Sequence, residues 1–228
     1  MKKSTIVITG ANRGLGLELC RQLRSDHEII ATARVPEAAD DLRALGPRVE
    51  AMDVADTASV NRFAARLADQ AVDILINNAG RGPARVGIAG LDFESSRLDL
   101  EVNSLGPMRV TQALLPHLRR GNGRRIVHIS SDLGSLSRVD DDDAGGYYVY
   151  RASKAALNML NICLARELAG EGFTCVALHP GWVQTDMGGV DAPLKPDESV
   201  RGMVRVIRDL TTADNGRFMD YQGATLRW

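Results

Sequence analysis

The chain has 228 residues, of which 44% are hydrophobic and 25% charged, and its formal net charge is −1. That is long enough to bury a substantial core in one domain, and no apolar run approaches the ~18 residues that cross a membrane. The near-neutral balance argues against a nucleic-acid-binding tract or a membrane-binding face, so small molecules are the expected partners.

Taken in chain order, Thr5-Ile6-Val7-Ile8-Thr9 reads as a strand, Leu15 to Leu23 as a helix and Glu28 to Ala33 as a second strand. The same βαβ rhythm continues through strands at Val49–Met52, Val72–Ile76, Arg125–Ile129 and Cys175–Leu178, with helical segments near 57–70, 95–119, 147–170 and 197–212 and a final strand. These strands are apolar on both faces, as a sheet covered by helices requires. The expectation is an α/β fold: a single-domain, Rossmann-like, doubly wound parallel sheet of about seven strands with helices on both faces. Its cofactor half would take about residues 1–120, and its catalytic and substrate half about 121–228. The run Asp140 to Asp143 lies between a strand and a helix and reads as a solvated loop.

Cys20, Cys163 and Cys175 are odd in number and scattered, which argues against a disulfide framework or a zinc site. The start, Met1-Lys2-Lys3-Ser4, lacks the apolar h-region of a signal peptide. A cytoplasmic protein is expected. His27, His117, His128 and His179 show no zinc-pair spacing and read as structural or surface residues, so no metal is expected.

Directly after the first strand, Thr9-Gly10-Ala11-Asn12-Arg13-Gly14-Leu15-Gly16 opens a helix. Glycines there let backbone approach a pyrophosphate, and the helix N-terminus offers free N–H groups and partial positive charge. In an NAD-selective site an acidic residue ends the second strand and binds the ribose 2′-hydroxyl. Here that place holds Ala33-Arg34, and Arg13 adds a second positive charge. A guanidinium can chelate a 2′-phosphate, so NADP(H) is expected in preference to NAD(H); the competing reading of both arginines is surface charge.

Tyr150-Arg151-Ala152-Ser153-Lys154 places a phenol and an ammonium one helical turn apart on one face. An ammonium near a phenol favours the phenolate and is expected to lower the tyrosine pKa towards a range useful for proton transfer.

Together these residues resemble the short-chain dehydrogenase/reductase family over nearly the whole chain. Gly10, Gly14 and Gly16 match its cofactor turn, with Asn12, Arg13 and Leu15 between them. Asp53-Val54 matches its adenine-contacting pair, and Asn77-Asn78-Ala79-Gly80 the motif that steadies the sheet beside the cofactor. Pro180-Gly181, with Val183 and Thr185, matches the segment that holds the nicotinamide end. Asn103, Ser131, Tyr150 and Lys154 fall where the family's catalytic tetrad lies. The stretches from Ser130 to Ser135 and from Tyr150 to Asn158 resemble the branch that holds the C-factor signalling proteins and the Sniffer-type carbonyl reductases.

The resemblance implies hydride transfer between a nicotinamide and a carbonyl or alcohol. Tyr150 would be the general acid/base, Ser131 would hold the substrate oxygen, and Lys154 would bind the nicotinamide ribose. Asn103 would extend a proton path through a helix irregularity; its other reading is an ordinary helix-interior amide. The family serine usually stands 13 residues before the tyrosine, where this chain has Ser137, whereas Ser131 stands 19 before it. Ser131 is preferred because it lies just past the fifth strand, where ligands bind in open α/β sheets, with Ser130 a third candidate. A small lid is expected from Trp182 to Ala192. The alternative to an enzyme is an NAD(P)-binding sensor of C-factor type with little turnover. A monomer and a homodimer are both compatible with the sequence.

Overall fold

The computed structural model describes residues 3–141 and 145–228; Asp142 and Asp143 of the acidic run lie outside the described residues. Seven strands form one sheet in the order β3-β2-β1-β4-β5-β6-β7, and every neighbouring pair is parallel. They are β1 (Ser4–Ile8), β2 (His27–Ala33), β3 (Arg48–Ala51), β4 (Ile74–Asn77), β5 (Arg125–Ile129), β6 (Thr174–His179) and β7 (Phe218–Asp220). Among the described residues seven α-helices connect them: α1 (Gly14–Leu23), α2 (Asp40–Ala44), α3 (Thr57–Arg66), α4 (Phe93–Leu100), α5 (Gly106–Arg120), α6 (Tyr148–Leu168) and α7 (Pro196–Asp209). The doubly wound sheet expected from the sequence is the one observed.

Strand alternation divides the core in two. Ile6, Ile8, Ile76, Val127 and Leu178 face Leu19, Leu42, Met203 and Ile207 of α1, α2 and α7. Val7, Leu75, Ile126 and Cys175 face Phe63, Leu114, Leu118 and Leu168 of α3, α5 and α6. Since successive strand side chains point to opposite faces, an apolar run must have cover on both sides. The chain reverses direction across the sheet between β3 and β4. In such sheets the crevice forms beyond the strands' carboxyl ends at that switch point, here beside β1 and β4.

One expected helix is two. The segment read as helical over 95–119 is interrupted by a π-helical turn at Glu101–Leu105, closed by Gly106 N–H bonding to Glu101 O. Inserting one residue into a helix rotates everything after it, and such turns recur at functional sites. The short α2 is an element that periodicity over a long window passes over.

At the opposite edge of the sheet, Asp73 ties three segments together. Its carboxylate accepts the backbone N–H of Thr5 at 2.8 Å, of Asn122 at 2.8 Å and of Gly123 at 3.1 Å. Asp73→Ala would leave those donors without their acceptor, and is expected to cost about 3 kcal/mol in urea unfolding while ligand binding at the far edge persists. An unchanged denaturation midpoint would contradict this role.

Candidate active site

The loops after β1, β4, β5 and β6 leave the carboxyl edge and carry many of the residues singled out in the sequence; Arg34 follows β2, Asp53 and Val54 follow β3, and Asn103, Tyr150 and Lys154 lie on helices. The glycine turn after β1 is clamped to the loop after β4. Thr9 Oγ1 accepts N–H bonds from Asn78 at 3.0 Å and Ala79 at 2.9 Å, and Asn78 Nδ2 donates to Thr9 O at 2.9 Å and Gly10 O at 3.0 Å. Side chains could not enter this junction. A Cβ on Gly10, whose φ is +64°, would lie 2.7 Å from Ala79 Cα, and one on Gly16 would lie 2.4 Å from Gly10 O. Asn78 and Ala79 thus hold the turn in place.

Gly14 differs from its neighbours because nothing crowds it. Its φ is +55°, and the nearest atom to a Cβ there would be Thr185 Cγ2 at 3.7 Å. Behind it the first turn of α1 has neither a side-chain cap nor an acidic residue. Asn12, Arg13 and Gly14 are exposed on the crevice side of the turn, with Leu15 half-buried behind them. Open N–H groups without a carboxylate are what a pyrophosphate needs, so the residues present fit a dinucleotide.

Arg34 is exposed immediately beyond β2. Arg13 reaches across to Asp186 at 3.0 Å, but both side chains are more than two-thirds exposed, so the pair contributes little and can exchange for another anion. Asp53 is fixed by its carboxylate accepting Ala55 N–H at 2.9 Å, and Val54 is buried against α5, where Gly106 approaches it. After β6, Ser199 Oγ donates to Pro180 O at 2.6 Å, and Gly181 takes φ +83° with Leu194 packed against it. A bridge between Val183 and Leu194 closes the expected lid into a loop, with Thr185 Oγ1 accepting Gly188 N–H at 3.2 Å. Met187 of that loop crosses to Gly82, on the other bank of the crevice.

Tyr150 and Lys154 lie on the buried face of α6's first turns. Lys154 Nζ donates to Ile129 O at 2.9 Å, and it stands 5.8 Å from the Tyr150 ring centre. Asn103 sits within the π-helical turn and is 1% exposed. Its amide accepts Arg81 N–H at 2.8 Å and donates to Arg81 O and Ser153 Oγ, both at 3.1 Å. A Cβ on Gly80 would meet Asn103 Oδ1 at 3.3 Å and Lys154 Nζ at 3.9 Å, so these three residues share one corner.

The three candidate serines separate by their partners. Ser130 is buried and donates to Asn158 Oδ1 at 2.6 Å. Ser137 is tied to Ser135 Oγ at 3.2 Å, and its N–H bonds to Trp228 O at 3.0 Å. Ser131 Oγ accepts Leu133 N–H at 3.2 Å, and its hydroxyl favours the ionised form of the Tyr150 phenol. Residues 226–228 make that separation possible, since Arg227 O accepts Ser135 Oγ at 2.8 Å and Trp228 stacks on Phe218 with ring centres 5.3 Å apart.

The electrostatics run against one expectation. Lys154 was expected to lower the Tyr150 pKa, yet Tyr150 is pushed up to about 12: burial is the main cause, the Ser131 hydroxyl pulls it down, and the charge of Asp132 raises it further. Burial likewise lowers Lys154 to about 8. Desolvation disfavours the charged form of each group, and it sets the direction of both shifts. His128 is buried in β5 with Nδ1 3.2 Å from Asn77 Nδ2, and burial with the nearby Lys154 pushes it down to about 3. His179 is another matter, because it approaches Asp132 beside Ser131. Their separation of 47 positions hides the contact from any reading of local spacing.

An uncapped glycine turn with a phenol, a hydroxyl and an ammonium at the same sheet edge fits a dinucleotide-using oxidoreductase. The chain belongs to the short-chain dehydrogenase family, whose pattern matches residues 4–193. C-signal of Myxococcus xanthus is 49% identical over 73% of this chain and 98% of its own length. Among solved structures, an NADPH-bound carbonyl reductase from chicken fatty liver is 34% identical with a TM-score of 0.93, and the carbonyl reductase Sniffer of D. melanogaster is 33% identical with a TM-score of 0.92; each match covers 100% of both chains. The chain is an oxidoreductase of the branch these proteins define.

If the partners of the serines decide their roles, Ser131→Ala lowers turnover about 10²-fold, the usual cost of one lost donor to a developing charge. Ser137→Ala leaves it unchanged. The reverse order in steady-state kcat would reassign the serine.

Proposed function

We propose that the protein reduces aldehydes or ketones with NADPH, reversibly, and that Tyr150 is the proton donor. The observation that carries this reading is the buried Tyr150–Lys154 pair, with Nζ 5.8 Å from the phenol ring and anchored on Ile129 O at the end of β5, together with an uncapped glycine turn after β1. Gly10, Gly14, Gly16, Asn12, Arg13 and Leu15 would hold the pyrophosphate end, Asp53 and Val54 the adenine, and Arg34 with Arg13 the 2′-phosphate. Gly80, Pro180, Gly181, Val183 and Thr185 would line the nicotinamide end. When bound, the nicotinamide supplies the hydride.

The chain's own residues manage the proton. With its pKa raised to about 12, Tyr150 stays protonated through the neutral range, ready to donate as negative charge builds on a carbonyl oxygen. Ser131 offers its hydroxyl to the same oxygen. Lys154, lowered to about 8 and anchored on Ile129 O, is mostly charged at neutral pH and would hold the ribose of a bound nicotinamide. Asn103 fixes the Arg81 backbone and Ser153, which holds the wall behind Lys154. Three free thiols, two of them buried and pushed up to about 12, suit a reducing cytoplasm.

Tyr150→Phe tests the reading directly. It should retain NADPH binding and lose about 10²- to 10⁴-fold in NADPH oxidation with a panel of aldehydes; equal turnover would end the assignment. Arg34→Asp is expected to lower kcat/KM for NADPH by about 10- to 100-fold while sparing NADH, the scale of one charged hydrogen bond. An unchanged preference would remove Arg34 from the 2′-phosphate.

The pH dependence follows from the two shifts. Below a pKa of about 12 the phenolate fraction of Tyr150 grows roughly tenfold per unit, so alcohol oxidation should rise steadily from pH 7 to 9. Carbonyl reduction uses the protonated phenol and should hold level up to about 8, then decline as Lys154 loses its charge. Reduction that keeps climbing past that point in initial-rate profiles would contradict the proposed roles.

A further inference from the structure

After β7 the chain turns back and returns to the loop that carries the candidate serines. Asp220 makes the reversal: its carboxylate accepts the N–H groups of Gln222 and Ala224, both at 2.9 Å, and its own N–H donates to Ala224 O at 2.9 Å. Leu226 N–H then donates to Phe218 O at 2.8 Å, and Thr225 bridges Met219, so this return segment runs antiparallel along the free edge of β7. Trp228 follows and lies on Phe218, with ring centres 5.3 Å apart and planes 20° from parallel. Phe218 is buried, which gives the indole a fixed surface to pack on.

The stack places two carbonyls. Arg227 O accepts Ser135 Oγ at 2.8 Å, and Trp228 O accepts the Ser137 N–H at 3.0 Å. A serine hydroxyl has one proton to give. Since that of Ser135 goes to Arg227 O, the 3.2 Å contact between the two hydroxyls is a bond donated by Ser137. Both donors of Ser137 are therefore taken up by the return segment and the serine it holds. From the opposite side the same loop rests on α6, where a Cβ on Gly134 would lie 2.8 Å from Lys154 C and Cβ, and Asn158 Nδ2 donates to Gly134 O at 3.4 Å. Ser131 opens this span, with its carbonyl accepting Gly134 N–H at 2.9 Å. The stretch from Ser131 to Ser137 is thus gripped between the helix that carries Tyr150 and Lys154 and the segment that carries Trp228.

We propose that Trp228 is a positioning residue for carbonyl reduction: stacked on Phe218, it sets the Arg227 and Trp228 carbonyls against Ser135 and Ser137, which holds the Ser131 hydroxyl at the carboxyl end of β5 and keeps the Ser137 hydroxyl engaged elsewhere. Trp228 acts through the loop and meets neither cofactor nor substrate. The inference rests on Ser131 being the serine that meets the substrate oxygen.

Steady-state NADPH oxidation with benzaldehyde is measured for Ser131→Ala and Trp228→Ala, singly and together. Trp228→Ala should lower kcat about tenfold, the scale of coupling between groups that act together. Its Kd for NADPH should stay at the wild-type value, because three strands separate β7 from the glycine turn after β1. In the Trp228→Ala background, Ser131→Ala should cost no more than about tenfold instead of about 10²-fold, since a displaced hydroxyl has less to lose. Trp228→Phe keeps a ring on Phe218 and should restore both values. Trp228→Leu keeps apolar bulk without the stack and carries the test if the alanine variant does not fold. A return segment that merely braces the sheet edge would lower Tm and leave the Ser131→Ala penalty undiminished; that result, or a Trp228→Ala kcat equal to wild type, overturns the proposal. If Ser131→Ala costs nothing in the wild-type background, the serine assignment itself fails and takes this inference with it, an outcome distinct from two full and independent penalties.

Discussion

The active edge depends on the reciprocal clamp between Thr9 and Asn78. Four hydrogen bonds join the ends of β1 and β4 where the sheet changes direction. A parallel sheet opens a crevice at this point in any case, but the crevice has a defined width only if the two loops are fixed to each other. Thr9 and Asn78 fix them, and the lack of Cβ atoms on Gly10 and Gly16 lets them close. From there the support passes outward. Gly80 admits Asn103 and Lys154, Asn103 holds Arg81 and Ser153, and Lys154 is drawn onto Ile129 at the end of β5. The glycine turn and the corner that holds Asn103 and Lys154 are thus one connected structure.

Burial sets the resting charge of that structure. Tyr150 rises to about 12 and Lys154 falls to about 8, so the two pKa values move apart and the phenolate–ammonium pair, costly out of water, is disfavoured. A protonated phenol suits reduction. The charge of Asp132 acts in the same direction, whereas the Ser131 hydroxyl opposes it. The proton's position is consequently a balance among three side chains and their solvation.

Much of this was legible in the sequence because it is local. Apolar runs with cover on both faces gave the parallel sheet, and the glycine spacing, the Asn-Asn-Ala-Gly run and the one-turn Tyr–Lys interval each lie within a few residues. The preference for Ser131 comes from its place at the strand end. What stayed hidden is long-range. Ser137 is held away by the carbonyl of Trp228, Asp132 meets His179 from another strand, and the helix break at Glu101–Leu105 comes from one extra residue that periodicity averages out. The direction of the Tyr150 shift was misread for a related reason: the charge of Lys154 is visible in a sequence, but the loss of water around both groups is not.

The most direct measurement follows the hydride itself. Wild-type protein is given NADPH carrying deuterium at the transferable C4 position, a single turnover is run with an aldehyde, and the product alcohol is analysed by NMR. The account predicts deuterium on the carbinol carbon and a solvent-derived proton on the oxygen. Alcohol without deuterium at that carbon, or no alcohol from any of a panel of aldehydes and ketones while NADPH remains bound, would contradict it.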